Sequence, residues 1–255
     1  MLNIPKISGH LLEEAPFAWA AIGPLFEPGD ADALLASFPT DHFKDIAGYD
    51  GEKGYRYRAR SLVHMGREGP SHAASLSPAW RGLAGDLLSP AYRQAMMRLT
   101  GLDLRTAVME ANITEYGPGA WLGPHLDLPA KLVTHVLYFN RAWTPEDGGG
   151  LRILRSPLET DVFQEVVPVV GNSAVLVRSD ASWHSVPRVS CDHRRAVNVI
   201  FHMPGATSSM WTPPEVRTTR TKFYSDCTRS PRLLSSPTSP ANSAWGRSAA
   251  RSEEH

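Results

Sequence analysis

Cysteine is nearly missing from this sequence: Cys191 and Cys227 are the two in 255 residues. Two thiols cannot form a disulfide framework, and such sparing use suits a reducing compartment. An excess charge of one sign is missing as well. The 26 Lys and Arg balance 26 Asp and Glu, so no global positive field draws the chain to phosphate backbones or anionic lipid, and neither nucleic acid nor membrane is expected as a partner. Long hydrophobic runs are also lacking. The most apolar stretch, Ala15 to Phe26, follows Glu13-Glu14, contains Pro16 and Pro24, and is too short to span a bilayer. Met1-Leu2-Asn3-Ile4-Pro5-Lys6 has no basic segment leading into an apolar one. The expected location is therefore cytoplasmic, and nothing in the composition speaks to oligomeric state.

What is present is enough apolar material, 42% of residues, for one domain with a substantial core. Residues 1–105 read as a mixed, largely helical support. A strand is expected over Phe17–Ile22, and a helix from about Asp30 through the run ADALLASF, stopped by Pro39. From Tyr49 to Arg60 the Gly-, Tyr- and Arg-rich segment has no helical period and reads as a loop or irregular hairpin, a candidate lid. A better helix follows Ser89: Pro90 suits the first position, Gly101 the residue past the end, and Ala95, Met96 and Leu99 face a core.

From Thr106 the period changes. The short apolar or alternating runs TAVMEANI, KLVTHVLYF, GLRIL, EVVPVV, SAVLVR and RAVNVIF are separated by Gly and Pro clusters with no helices between them. Such a series predicts an antiparallel sandwich or barrel, of which the jelly roll is one solution. Residues 106–204 are thus the expected core and 205–229 a C-terminal extension. Residues 230–255, with seven Ser, three Pro and two Leu as the larger aliphatic anchors, are expected to form a disordered tail.

His125 and Asp127 stand two apart at the start of the strand-rich half, and positions i and i+2 of an extended chain point to one face. An imidazole and a carboxylate are thereby offered together. His184 follows 57 residues after Asp127, just past the apolar run SAVLVR and a short turn. Two histidines and one carboxylate on one side of a metal leave other positions open, which suits Fe(II) in oxygenases. Arg194 and Arg195 then open the run AVNVIF and place a guanidinium at the mouth of the same sheet, where a dicarboxylate could be gripped by a fork that stays charged when buried.

The ordered segments EYGPGAWLGPHLDLPAKLVTHVLYFNRAW, GGGLRIL, VVPVVGNSAVLVRSDASWHSVPRV and RRAVNVIF resemble the 2-oxoglutarate/Fe(II) dioxygenase superfamily, and within it the prolyl-hydroxylase-like branch, over Met109 to Met203. The resemblance implies a mainly β chain with N-terminal helices around a double-stranded β-helix, the jelly-roll or cupin-like core. It implies Fe(II) held by His125, Asp127 and His184, with 2-oxoglutarate and O2 as co-substrates. It also implies that Arg194 meets the far carboxylate of 2-oxoglutarate, that Tyr138 and Asn198 are secondary polar contacts to it, and that Tyr116 is a pocket tyrosine. Related halogenating enzymes lack the carboxylate ligand, so Asp127 argues for hydroxylation or another oxidation of a C–H bond.

Trp121, Trp183, Tyr55, Arg56 and Arg58 are candidate pocket walls. Two other readings stay open: a Zn(II) hydrolase built on the same three ligands, which leaves Arg194 without a role, and a non-catalytic cupin-like binding module. Without a dedicated acidic or basic groove, a small-molecule substrate such as an amino acid or natural-product intermediate is expected ahead of a prolyl side chain in a protein. The choice between Arg194 and Arg195 follows from strand alternation. With Arg194 inward, Ala196 and Asn198 share its face and Val197, Val199 and Phe201 point away.

Overall fold

The computed structural model describes residues 1–50, 53–208 and 210–211. The expectations for the extension and the tail lie outside the described residues from position 212 onward. The helices begin where the side chains supply their own caps. Ser77 accepts the Trp80 amide and precedes Pro78 in α3 (Pro78–Leu88), and Ser89 accepts the Tyr92 amide and precedes Pro90 in α4 (Pro90–Thr100). Gly101, at φ 70°, ends α4 in the left-handed conformation that glycine tolerates. Trp80, Leu83, Ala84 and Leu87 of α3 and Tyr92, Ala95, Met96 and Leu99 of α4 form buried stripes at helical spacing. α3 was not anticipated from sequence, although Ser77-Pro78 repeats the signal read at Ser89-Pro90.

Two shorter helices, α1 (Ile4–Ser8) and α2 (Pro28–Ala36), complete the set. α2 corrects the expected start at Asp30: Glu27 is its extended N-cap, Pro28 takes the first turn, and Asp30 lies within that turn.

The strands are β1 (Trp19–Ile22), β2 (Lys44–Asp50), β3 (Lys53–Val63), β4 (Val108–Tyr116), β5 (Trp121–His125), β6 (Lys131–Tyr138), β7 (Leu151–Leu154), β8 (Val162–Val166), β9 (Ser173–Val177), β10 (His184–Val186) and β11 (Arg194–His202). They pair antiparallel in the order β1-β9-β6-β11-β4-β3-β5-β10-β7-β8, with β2 on β3. β3 joins the two halves: Arg58 to Val63 pair with β4, while Tyr55 and Arg56 pair with Leu122 and Trp121 of β5. The result is the double-stranded β-helix expected, and β1, β2 and β3 of the first 105 residues belong to its sheet.

Of the two readings of Tyr49–Arg60, loop or irregular hairpin, the described residues follow the hairpin. β2 and β3 pair in register and β3 is central in the sheet; the alternation Tyr55, Tyr57, Ala59 against Arg56, Arg58, Arg60 is the period-two signature that favours the hairpin over the loop. The strand expected at EVVPVV ends instead at Val166, because Pro168 has no amide to donate to a ladder.

Two apolar layers lie on opposite faces of the sheet. On one, Val197, Val199 and Phe201 of β11, Ala111 and Ile113 of β4 and Val133 and Leu137 of β6 pack with the stripes of α3 and α4. On the other, Ala196, Tyr116, Val136, Tyr138, Leu151, Ile153, Leu176 and Val186 close the inside of the β-helix. Among the described residues, no helix is long and apolar enough to cross a membrane.

Candidate metal and co-substrate centre

His125 ends β5 and His184 begins β10, and these short strands pair with His125 directly opposite His184. Neighbouring strands thus bring together residues 59 positions apart. Asp127 lies just beyond β5, so its approach does not come from continued strand alternation. Its carboxylate is held instead by β6: Thr134 Oγ1 donates to Oδ2 at 2.8 Å, and the Lys131 ammonium pairs with Oδ1. All three residues are buried, and one ligand atom from each lies within 4.8 Å of the others.

The histidines are oriented by their own turns. His125 Nδ1 lies 2.9 Å from the Gly123 carbonyl and His184 Nδ1 lies 2.9 Å from the Ser182 carbonyl, so each Nδ1 donates and each ring keeps Nε2 as its basic nitrogen. The rings are 4.2 Å apart between centroids. Burial opposes the charged form of Asp127, but the ammonium of Lys131, with lesser help from His184 and His125, holds its carboxyl far below the usual range. Two oriented imidazoles and an ionised carboxylate are the donor set of a facial metal site with positions left over.

Arg194, the first residue of β11, packs on Tyr116 and Tyr138 of the inner cluster. It is 2% exposed, and its guanidinium carbon sits 5.0 Å from the ring centre of Tyr116 and 5.4 Å from that of Tyr138. Tyr57 stacks on Tyr116 at 4.9 Å, so three tyrosines wall this end. Burial pushes the Tyr116 phenol up to about 12, against the pull of Arg194, so it stays protonated. Arg194 Nε donates to the Gly149 carbonyl. Gly149 adopts φ 67°, and a Cβ there would lie 2.7 Å from Val189 Cγ2 and 3.2 Å from Arg194 Cδ, so glycine is what lets this carbonyl reach the arginine. Among the described residues, no carboxylate forms an ion pair with Arg194. Asn198 is half-buried on the same face, opposite Asn112 of β4.

Of the candidate walls, Tyr55 pairs with Leu122 of β5, and two residues on, Tyr57 packs with Leu122 against the inner cluster. Arg58 points to the opposite face, where it pairs with Glu115 at 3.3 Å and covers the Phe43 ring. Trp121 is capped by the Arg188 guanidinium at 4.5 Å and backed by Gly54, and Trp183 is half-buried next to His184. Lys131, Thr134 and Tyr57 were not singled out from sequence. The spacing of Lys131, four residues past Asp127, was the one local signal, and it carries meaning only once the turn into β6 is known.

A double-stranded β-helix with a buried His-Asp-His cluster, and an arginine on its inner face that pairs with no carboxylate among the described residues, has the parts that a non-haem iron oxygenase of the 2-oxoglutarate-dependent kind requires. Residues 111–202 match the model of the 2OG-Fe(II) oxygenase superfamily. The match covers this core, 92 of the 255 residues, and marks it as a 2OG-Fe(II) oxygenase domain, a dioxygenase domain whose metal is Fe(II) and whose co-substrates are 2-oxoglutarate and O2. No curated protein matches it in sequence.

Among solved structures, the fold is similar to a Pseudomonas putida prolyl-4-hydroxylase (22% identity, TM-score 0.51, 78% of this chain and 96% of that one). It is also similar to a prolyl 4-hydroxylase from Phytophthora capsici (19%, TM-score 0.55, 89% and 75%). A third likeness is to a Trichoplax adhaerens prolyl hydroxylase in complex with a hypoxia inducible factor oxygen degradation domain peptide (14%, TM-score 0.53, 79% and 87%).

Proposed function

We propose that His125, Asp127 and His184 ligate Fe(II), that Arg194 receives the far carboxylate of 2-oxoglutarate with Tyr138 and Asn198 beside it, and that the enzyme hydroxylates an unactivated C–H bond of a small molecule. The observation that carries this is Arg194. A guanidinium 2% exposed, set among tyrosines with no acidic partner among the described residues, is costly unless an anion completes it, and the far carboxylate of a dicarboxylate held at the metal would be that anion. A Zn(II) hydrolase built on the same three ligands gives this arginine nothing to do.

When bound, iron would activate O2, the oxidant, with 2-oxoglutarate giving up two electrons as it becomes succinate and carbon dioxide; one oxygen atom ends in succinate and the other in the substrate. The chain supplies placement. The Gly123 and Ser182 carbonyls fix the imidazole orientations, and Lys131 and Thr134 keep the Asp127 carboxylate ionised and aimed. The Gly149 carbonyl fixes the arginine stem, and Val136, Ile153, Leu176 and Val186 exclude water from the inner wall. We place the enzyme in the cytoplasm, as its sparing use of cysteine suggests.

A second reading, hydroxylation of a prolyl side chain in a protein, draws support from the likeness to the prolyl hydroxylases above. The test is twofold: anaerobic Fe(II) plus 2-oxoglutarate should give the weak visible charge-transfer band of the chelate, and aerobic incubation should release succinate. Absence of both would remove the oxygenase reading of the site; stimulation of succinate release by prolyl peptides and not by small molecules would favour the second reading.

A further inference from the structure

One hydroxyl on the inner face has no task in the site as described, that of Tyr57. β3 runs antiparallel to β4, and the pairing of Arg58 with Glu115 sets Tyr57 level with Tyr116. Their rings lie nearly parallel, 15° between planes and 4.9 Å between centroids. Tyr57 also packs with Leu122 against the inner cluster, and Leu122 pairs with Val186. These last two belong to β5 and β10, the strands that carry His125 and His184.

The inner tyrosines divide by the charge their phenols meet. The Arg194 guanidinium lies 5.0 Å from the Tyr116 ring and 5.4 Å from the Tyr138 ring, and its charge acts on both phenols. Tyr57 is one ring further from the arginine, and the carboxylates that act on its phenol are those of Asp127 and Glu110. Burial above all, then Tyr116, Tyr55 and these two carboxylates, push that phenol well above its ordinary range, so it remains an O–H donor.

Neither carboxylate accepts from it. Glu110 is engaged by His202 and Ser208, and Asp127 by Lys131 and Thr134. Tyr57 is half-buried, and its hydroxyl makes no hydrogen bond to any described residue. Solvent can serve such a group while the site is open. A molecule that fills the space beside the metal displaces that solvent, and it leaves the donor unpaired unless it returns an acceptor.

We propose that Tyr57 orients the substrate, donating a hydrogen bond to a carbonyl or carboxylate oxygen of the molecule whose C–H bond is oxidised. This rests on the iron and 2-oxoglutarate reading of the site. The hydroxyl selects and positions the substrate without holding either the metal or the co-substrate.

The experiment compares the full-length wild type with Tyr57→Phe, which removes the hydroxyl and keeps the ring that stacks on Tyr116. The anaerobic charge-transfer band with Fe(II) and 2-oxoglutarate is measured first, with the KM for 2-oxoglutarate. Free α-amino acids, 2-hydroxy acids and proline-containing tripeptides, all of which carry the required oxygen, are then screened for stimulated succinate release. A stimulating compound is titrated anaerobically into both proteins to obtain its Kd from the change in the band, and oxygenated product is counted against succinate. The expected result is the band in both proteins, a KM for 2-oxoglutarate within about threefold, a Kd for the compound raised about three- to tenfold in Tyr57→Phe, and less product per succinate in that variant.

A band absent from wild type overturns the parent reading, and this proposal with it. With the band present, three results overturn the role of Tyr57 alone. The first is that no compound of the screen stimulates the wild type. The second is an unchanged Kd and unchanged coupling in Tyr57→Phe. The third is loss of the band in that variant, or a KM for 2-oxoglutarate raised as much as the Kd, which places the hydroxyl with the metal or the co-substrate.

Discussion

Arg194 and Arg195 are adjacent in the chain and opposite in the sheet. Arg194 is 2% exposed against Tyr116 and Tyr138, whereas Arg195 Nε lies 3.0 Å from Glu115 Oε2 and its guanidinium covers Phe38 at 4.4 Å. The register is pinned from the neighbouring strand: the Arg195 amide donates to Asn140 Oδ1 at 3.2 Å, and the Phe139 amide donates to the Arg195 carbonyl at 3.0 Å. Arg194→Ala should therefore raise the KM for 2-oxoglutarate about ten- to a hundredfold, the worth of hydrogen bonds to a charged group. Arg195→Ala should leave that KM within about threefold. Steady-state succinate assays on both variants decide this, and comparable effects would contradict the assigned roles.

His184→Ala should lose the anaerobic charge-transfer band while keeping its far-ultraviolet circular dichroism. The residue supplies one of three ligand atoms, and its Nδ1 bond is to its own turn, so the sheet does not depend on it. A full-strength band in the variant would remove His184 from the metal.

Gly149 and Gly101 offer a matched pair, since both have positive φ. At Gly101 a Cβ would meet nothing within 4 Å, so Gly101→Ala should cost about 1 kcal/mol of backbone strain and leave the KM for 2-oxoglutarate alone. At Gly149 the added methyl collides with Val189 and with the Arg194 stem. Gly149→Ala should cost more, on the order of 2–3 kcal/mol in a urea titration, and should also raise that KM severalfold. Equal stability losses with an unchanged KM would mean that the Gly149 carbonyl does not position Arg194.

Acid stability should report on His135. The ring is fully buried, shares a 2.9 Å hydrogen bond with the Tyr92 hydroxyl, and burial lowers its pKa from 6.5 to about 3. It stays neutral in the fold, while the unfolded chain takes up the proton below 6.5. Stability contributed by this group is complete above pH 6.5 and is lost as pH falls towards 3, with a slope of at most about 1.4 kcal/mol per pH unit. The double variant Tyr92→Phe, His135→Leu, which removes both polar partners, should flatten the fall in unfolding free energy between pH 6.5 and pH 5; an unaltered slope would show that other groups cause it.

The one-dimensional pattern determined a good deal. Alternation and turn residues from Thr106 onward were enough for an antiparallel sandwich or barrel, because a strand with one face in each of two apolar layers must alternate, while the choice of the β-helix among these came from the family resemblance; Ser-Pro and Gly101 marked α4 because caps are local chemistry. The order His125, Asp127, His184, Arg194 was likewise legible, and alternation alone turned Arg194 inward. Tertiary structure decided what depends on neighbours distant in sequence. The central place of β3 arises from pairing with β4 and β5, 48 or more positions further along the chain, which its own tyrosine and arginine alternation permits but does not specify. Asp127 is aimed by Lys131 and Thr134 of the next strand, not by continuation of its own. Arg58, expected in the pocket, is drawn to Glu115 on the far face, because in a strand the face a residue occupies follows from register, and register is set by which strands close the sheet.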